Sequence, residues 1–119
     1  MAKIFNIKYG ASRTVFLTTK YAIKRPSFQS YRLFLHGLLA NLQEVKFSKS
    51  KLDGLCPVIF YLPLGLLVVM PRCRVLTFDE FDPKKLEEFI DKENYRIPAE
   101  LKPDSFGYLN GKLVAIDYG

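Results

Sequence analysis

Apolar residues in this chain fall into short β-rich runs and one long stretch at helical spacing. Ile4–Lys8 is a short strand-like run. Thr14-Val-Phe-Leu17 and Tyr21-Ala-Ile-Lys24 are rich in β-branched and aromatic residues, and the short link Thr18-Thr19-Lys20 predicts a hairpin. Pro26 and Ser27 then punctuate the chain, and Ser27 or Ser30 is placed to cap a helix. From Tyr31 to Phe47 apolar residues recur at helical spacing (Leu35, Leu38, Leu39, Leu42, Val45), the strongest helix signal present. Lys46 and Lys49 in its last turn suit the helix dipole. Ser48–Gly54 reads as a polar loop. Val58–Leu62 and Leu66–Met70, joined by Pro63-Leu64-Gly65, predict a second hairpin, and Pro71–Thr77 leads out of it. Asp82–Asp91 is a short charged helix with Pro83 near its first turn. Glu93–Pro103 is irregular. Phe106–Leu109 and Lys112–Ile116 form a third hairpin around Asn110-Gly111, a strong turn signal. The expected class is α+β: an antiparallel sheet with one main helix, followed by a small terminal hairpin segment.

Composition narrows the picture only a little. A chain of 119 residues, 49% hydrophobic and 25% charged, is expected to be one globular domain with a small core. The net charge of +6 suits anionic partners: nucleotide phosphates, nucleic acid or an acidic protein surface. The basic residues are spread along the chain, with no basic tail. Cys56 and Cys73 make neither a disulfide framework nor a zinc site, and both read as small core residues in a reducing compartment. The N-terminus lacks an apolar signal core. The most apolar run, Leu55–Met70, is interrupted by Pro57, Pro63 and Gly65 and is too short to span a bilayer. A cytoplasmic location and no membrane partner are therefore expected. His36 is a solitary helix histidine with no cysteine beside it.

Six segments are candidates for chemistry. Gly10-Ala-Ser-Arg-Thr-Val15 is a loop with a glycine at its start and a cation, Arg13, inside it. Tyr21-Ala-Ile-Lys24 ends a strand on a lysine. Glu44 lies on the main helix and is the sole acidic residue between Met1 and Leu52. That leaves it as the one local carboxylate for Lys24. Leu66-Leu-Val-Val-Met-Pro-Arg72 is an apolar strand running into a proline. Glu100-Leu-Lys-Pro-Asp-Ser105 is followed twelve residues later by Asp117-Tyr-Gly119.

In this order and spacing the segments resemble the protein kinase superfamily, and most closely small kinase-like proteins of bacteriophages. The resemblance covers nearly the whole chain. It implies one minimal domain over 1–119, with 1–77 similar to a kinase N-lobe and 78–119 carrying a short helix, catalytic loop and metal-binding hairpin. It implies ATP and Mg²⁺ as ligands. Gly10 and Val15 would cover the nucleotide, and Arg13 would add a phosphate-binding charge. Lys24 would hold the phosphates and Glu44 would orient Lys24. Met70 would lead into the adenine-binding hinge. Glu100 would stand for the catalytic base, with Lys102 neutralising transferred charge, and Ser105 and Asp117 would bind metal.

Three departures qualify the family pattern. One glycine remains of three in the first loop. Glu100 replaces an Asp, which moves the carboxylate by a methylene, and a misplacement of about 1 Å costs roughly 100-fold in rate. Ser105 replaces an Asn, a shorter oxygen ligand. A complete kinase is also much longer, so the resemblance implies a trimmed form. The expected function is that of a degenerate kinase, a pseudokinase, that binds nucleotide and acts mainly by binding a host protein. The alternatives are an active minimal phosphotransferase and, on charge alone, a nucleic-acid-binding protein. Pairing of two chains into a homodimer is a further expectation for so small a domain.

Overall fold

Two antiparallel sheets and one long helix make an α+β fold. The computed structural model describes residues 4–10, 12–92 and 94–118. Met1–Lys3, Ala11, Glu93 and Gly119 lie outside the described residues. They include the very N-terminus, one position of the Gly10–Val15 loop, the first residue of the irregular 93–103 stretch and the last residue of Asp117-Tyr118-Gly119.

The first sheet contains β1 (Ile4–Tyr9), β2 (Arg13–Thr18), β3 (Tyr21–Pro26), β4 (Phe60–Leu62) and β5 (Leu67–Pro71), in the order β1-β2-β3-β5-β4. Its register decides what faces what. Val15 lies opposite Lys24 and Leu17 opposite Ala22. Lys24 in turn faces Val68, and Ala22 faces Met70. Side chains alternate along a strand and cross-strand partners share a face. Val15, Leu17, Ala22, Lys24, Val68 and Met70 therefore form one face. Arg25 belongs to the other face, where its guanidinium lies over the rings of Phe16 and Phe28.

Helix α1 (Tyr31–Lys49) begins where Ser30 Oγ accepts the Leu33 amide, so Ser30 rather than Ser27 is the cap. The face that α1 turns inward is not its leucine stripe. Gly37, Asn41, Glu44 and Val45 are buried, while Leu35, Leu39 and Leu42 are 39%, 59% and 43% exposed. Two constraints decide this. Gly37 lets the helix backbone close on β2 and β3: a Cβ there would lie 2.3 Å from the Ser12 carbonyl oxygen and 2.7 Å from Pro26 Cα. One and two turns on, Asn41 and Glu44 find polar partners inside the protein. Among the described residues no helix is long and apolar enough to cross a membrane.

The second sheet is β6 (Arg74–Val75), β7 (Phe106–Leu109) and β8 (Lys112–Ala115), with Asn110-Gly111 at the β7–β8 turn. The two-residue strand β6 has no signal in the sequence; it is a strand because Arg74 and Val75 pair with Tyr108 and Gly107. Helix α2 (Pro83–Ile90), capped by Asp82, buries Leu86 and Ile90 beside this sheet. The segment after α1 runs alongside β8: the Cys56 amide donates to the Ala115 carbonyl, and the Ala115 amide donates to that of Gly54. The core runs through both sheets, from Val45, Val68 and Met70 to Phe106, Val114, Ala115 and Tyr118.

Gly37→Ala tests the close approach of α1. Alanine gains up to about 1 kcal/mol in helix propensity, but forcing a methyl group into a filled space costs roughly 1–3 kcal/mol. A lower urea midpoint is expected. A raised midpoint would show that α1 does not sit this close to β2 and β3.

Candidate functional site

Four charged side chains from four different elements meet beneath the β1–β2 turn. Arg13 comes from the start of β2, Lys24 from the cleft face of β3, Glu44 from the fourth turn of α1 and Asp117 from the segment after β8. Glu44 is fully buried and is the hub. Its Oε1 accepts from Arg13 Nη1 at 2.7 Å and from Lys24 Nζ at 3.1 Å. Its Oε2 accepts from Arg13 Nη2 at 3.2 Å, Lys24 Nζ at 3.1 Å and the Tyr118 amide at 3.1 Å. Arg13 Nη2 also donates to Asp117 Oδ1 at 2.7 Å. Lys24 Nζ donates to the Ile116 carbonyl at 2.6 Å. Two cations face two carboxylates, so the cluster is neutral, and each buried charge has partners, as burial requires.

Asn41 completes the cluster. It sits one turn before Glu44 on the same face of α1. Its Oδ1 accepts from Arg13 Nη1 at 3.1 Å, while its Nδ2 donates to the carbonyls of Gly65 and Lys24. Sequence reading singled out Glu44 and passed over Asn41. The three-residue spacing between them was the available signal.

The cluster forms the base of a cleft of about 1010 Å³. Gly10, Val15, Leu17, Ala22 and Met70 line it on the side of the first sheet, and Glu100, Lys102, Ser105 and Asp117 on the side of the second. Gly10 closes the β1–β2 turn by donating to the Arg13 carbonyl at 2.8 Å. Arg13 itself is buried and directed at Glu44 and Asp117 rather than into open space. Glu100 lies at the cleft with its side chain 81% exposed, 3.5 Å from Lys102 Nζ. Ser105 is almost wholly buried. Its carbonyl accepts the amides of Ile116 and Asp117, which fixes it beside the acidic residue. Its hydroxyl is the one buried side-chain polar atom without a hydrogen-bond partner among the described residues. Leaving such a group unpaired in the interior costs about 1–3 kcal/mol.

These residues fit a divalent cation poorly. Mg²⁺ binds oxygen ligands in octahedral geometry and usually engages one or two carboxylates plus phosphates and water. Asp117 supplies the carboxylate here, and Arg13 already neutralises it at 2.7 Å. Ser105 adds a single neutral oxygen. Among the described residues no group of three or more His, Cys, Asp or Glu side chains is placed to hold a metal ion. The guanidinium occupies the electrostatic position that a cation would take. No protein-family model matches the chain, and no curated protein matches it.

Burial alone would raise the Glu44 carboxyl, but the charges and hydrogen bonds of Lys24 and Arg13 hold it below its ordinary value of 4.5. Burial likewise opposes the Arg13 charge, and Glu44 and Asp117 outweigh it, so the guanidinium stays protonated. A carboxyl depressed on folding stabilises the protein above its unfolded value and loses that contribution as pH falls through its folded value. The Glu44 contribution is thus complete above about pH 4.5 and fades below it. Glu44→Gln strands two buried cations, and loss of one partner of a buried pair costs roughly 3–5 kcal/mol. Thermal melts of wild type and variant should differ most at neutral pH and converge in acid. Curves that remain parallel down to about pH 3 would show that Glu44 is not the titrating hub.

Proposed function

We infer that this chain is a kinase-like, nucleotide-binding module in which Arg13 takes the place of the divalent cation against Asp117. The observation that carries this reading is the Lys24–Glu44 pair set beside Asp117 at the base of the cleft. Lys24 is fixed by Glu44 and the Ile116 carbonyl with its ammonium at the cleft floor. Ala22 and Met70, two residues along the same face, together with Val15 and Leu17, supply an apolar wall of the kind a flat base packs against. Lys8, Arg72 and Lys102 line the same cleft and favour a polyanion.

Binding rather than phosphoryl transfer suits this arrangement better. The carboxylate expected to act as base, Glu100, is exposed and held by Lys102 alone among the described residues. A general base must sit within hydrogen-bond reach of the proton it takes, in a fixed position. The output is then a protein contact. The outer face of α1 offers Leu35, Leu39 and Leu42, continuous in sequence with exposed Arg32, Lys46 and Lys49, and the sole acidic residue of the helix, Glu44, is buried. An apolar stripe with basic flanks suits a partner whose own apolar patch is edged by acidic residues. For a phage-encoded chain that partner is a host protein.

A ligand that binds only the folded state raises the melting temperature by mass action. Millimolar ATP should raise it by several degrees, and to the same extent in EDTA as in Mg²⁺. Ala22→Trp, which adds bulk to the cleft face and removes none of the charged groups, should abolish the rise. A rise that needs Mg²⁺ would remove the role given to Arg13. No rise in either buffer would remove the nucleotide reading itself.

A further inference from the structure

The two cysteines, seventeen positions apart in sequence, meet at the wall of the cleft with their Sγ atoms 3.3 Å apart. Both are free thiols. They differ in access. Cys56 is fully buried, held by its amide to Ala115 and by its carbonyl, which accepts from Tyr118 Oη at 2.6 Å. Cys73 is half-buried and lies in the crossover between β5 of the first sheet and β6 of the second. Both sulfurs also approach the Pro71 carbonyl at 3.7 Å. One thiol is thus open to a small reagent through the cleft, and the other waits behind it within contact distance.

We propose that Cys56 and Cys73 are a peroxide-sensitive dithiol that closes to an intramolecular disulfide and staples the crossover between the two sheets to the segment beside β8. The reactive species is the thiolate. A hydrogen bond from Cys56, aided by the nearby Lys24 charge, pushes the Cys73 thiol down against the opposing effect of burial. Sharing that hydrogen bond, together with burial, pushes Cys56 up. Cys73 is therefore the attacking sulfur and Cys56 the resolving one. The Cys73 thiolate attacks one oxygen of hydrogen peroxide and breaks the O–O bond. Cys73 becomes a sulfenic acid, and the leaving hydroxide takes up the proton that the thiol had released, giving water. Cys56 sulfur then attacks the sulfenic sulfur, forming the S–S bond. The departing hydroxide takes the Cys56 proton as a second water. Two thiols lose two hydrogens and two electrons in all, and peroxide accepts them. Bond formation needs the sulfurs to move from contact to about 2.05 Å, with Cα atoms about 4.4–6.8 Å apart, and Cys73, on a connection rather than within a strand, is the side free to shift. Nothing in this chemistry depends on what the cleft binds.

The experiment treats the reduced full chain with hydrogen peroxide, blocks remaining thiols with an alkylating reagent and maps peptides by mass spectrometry without reduction. The expected product is a single-chain Cys56–Cys73 cross-link lighter by two hydrogen atoms. In Cys56→Ser the reaction should stop at a Cys73 sulfenic acid, trapped by dimedone. In Cys73→Ser the buried Cys56 should remain alkylatable once the protein is unfolded. Full alkylation of both wild-type cysteines, after an exposure that oxidises free cysteine, would overturn the proposal, as would cross-links found only between chains. A disulfide constrains the unfolded chain, so the oxidised wild type should also melt above the reduced form. Equal melting temperatures would overturn the staple.

Discussion

The Glu44 carboxylate is the constraint on which the rest of the molecule depends. It is fully buried and accepts from β2, from β3 and from the backbone beyond β8. A charge taken so far from water is tolerable only when paired and hydrogen-bonded. The helix that carries it must therefore lie against the first sheet at one rotation and one depth. Gly37 permits that depth by leaving room for the Ser12 carbonyl and Pro26. The rotation brings Asn41 inward beside Glu44 and sends Leu35, Leu39 and Leu42 outward.

The same carboxylate joins the two sheets. Arg13 bridges Glu44 to Asp117, and Lys24 bridges Glu44 to the Ile116 carbonyl. Both bridges run from the first sheet to the end of the hairpin in the second. The cleft between the sheets is therefore walled by groups that also hold the sheets in place. Electrostatically the cluster is closed, two positive charges against two negative, and that closure weighs against a divalent cation at Asp117. Local stability and ligand chemistry are set by one set of residues.

Much of this was legible in the sequence, and the parts that were not have physical reasons. The hairpins followed from β-branched runs and from Asn110-Gly111, whose backbones sit at positive φ as a tight turn needs. The pairing of Lys24 with Glu44 was legible because α1 carries no other acidic residue. The rotation of α1 was not legible, because an apolar stripe at helical spacing ordinarily faces the core, and here a buried ion cluster outweighs it. The destination of Arg13 was hidden for a similar reason. A cation in a loop reads as exposed, and its partner Asp117 lies 104 positions away. Strand β6 and the Cys56–Cys73 contact are products of tertiary approach, with no local pattern to announce them.

The most direct measurement is a double-mutant cycle between Arg13 and Asp117, using Arg13→Gln, Asp117→Asn and the combined variant, with unfolding free energies taken in EDTA. The cycle removes the other contacts of Arg13 with Glu44 and isolates the bridge. Directly contacting charges couple by about 0.5–3 kcal/mol. The Asp117 side chain is 40% exposed, so solvent screening places the expected value near 1 kcal/mol. A coupling of that size, unchanged when Mg²⁺ replaces EDTA, is the expected result. Strict additivity of the two substitutions, or a coupling that Mg²⁺ erases, would contradict the assignment of Arg13 as the resident cation of this site.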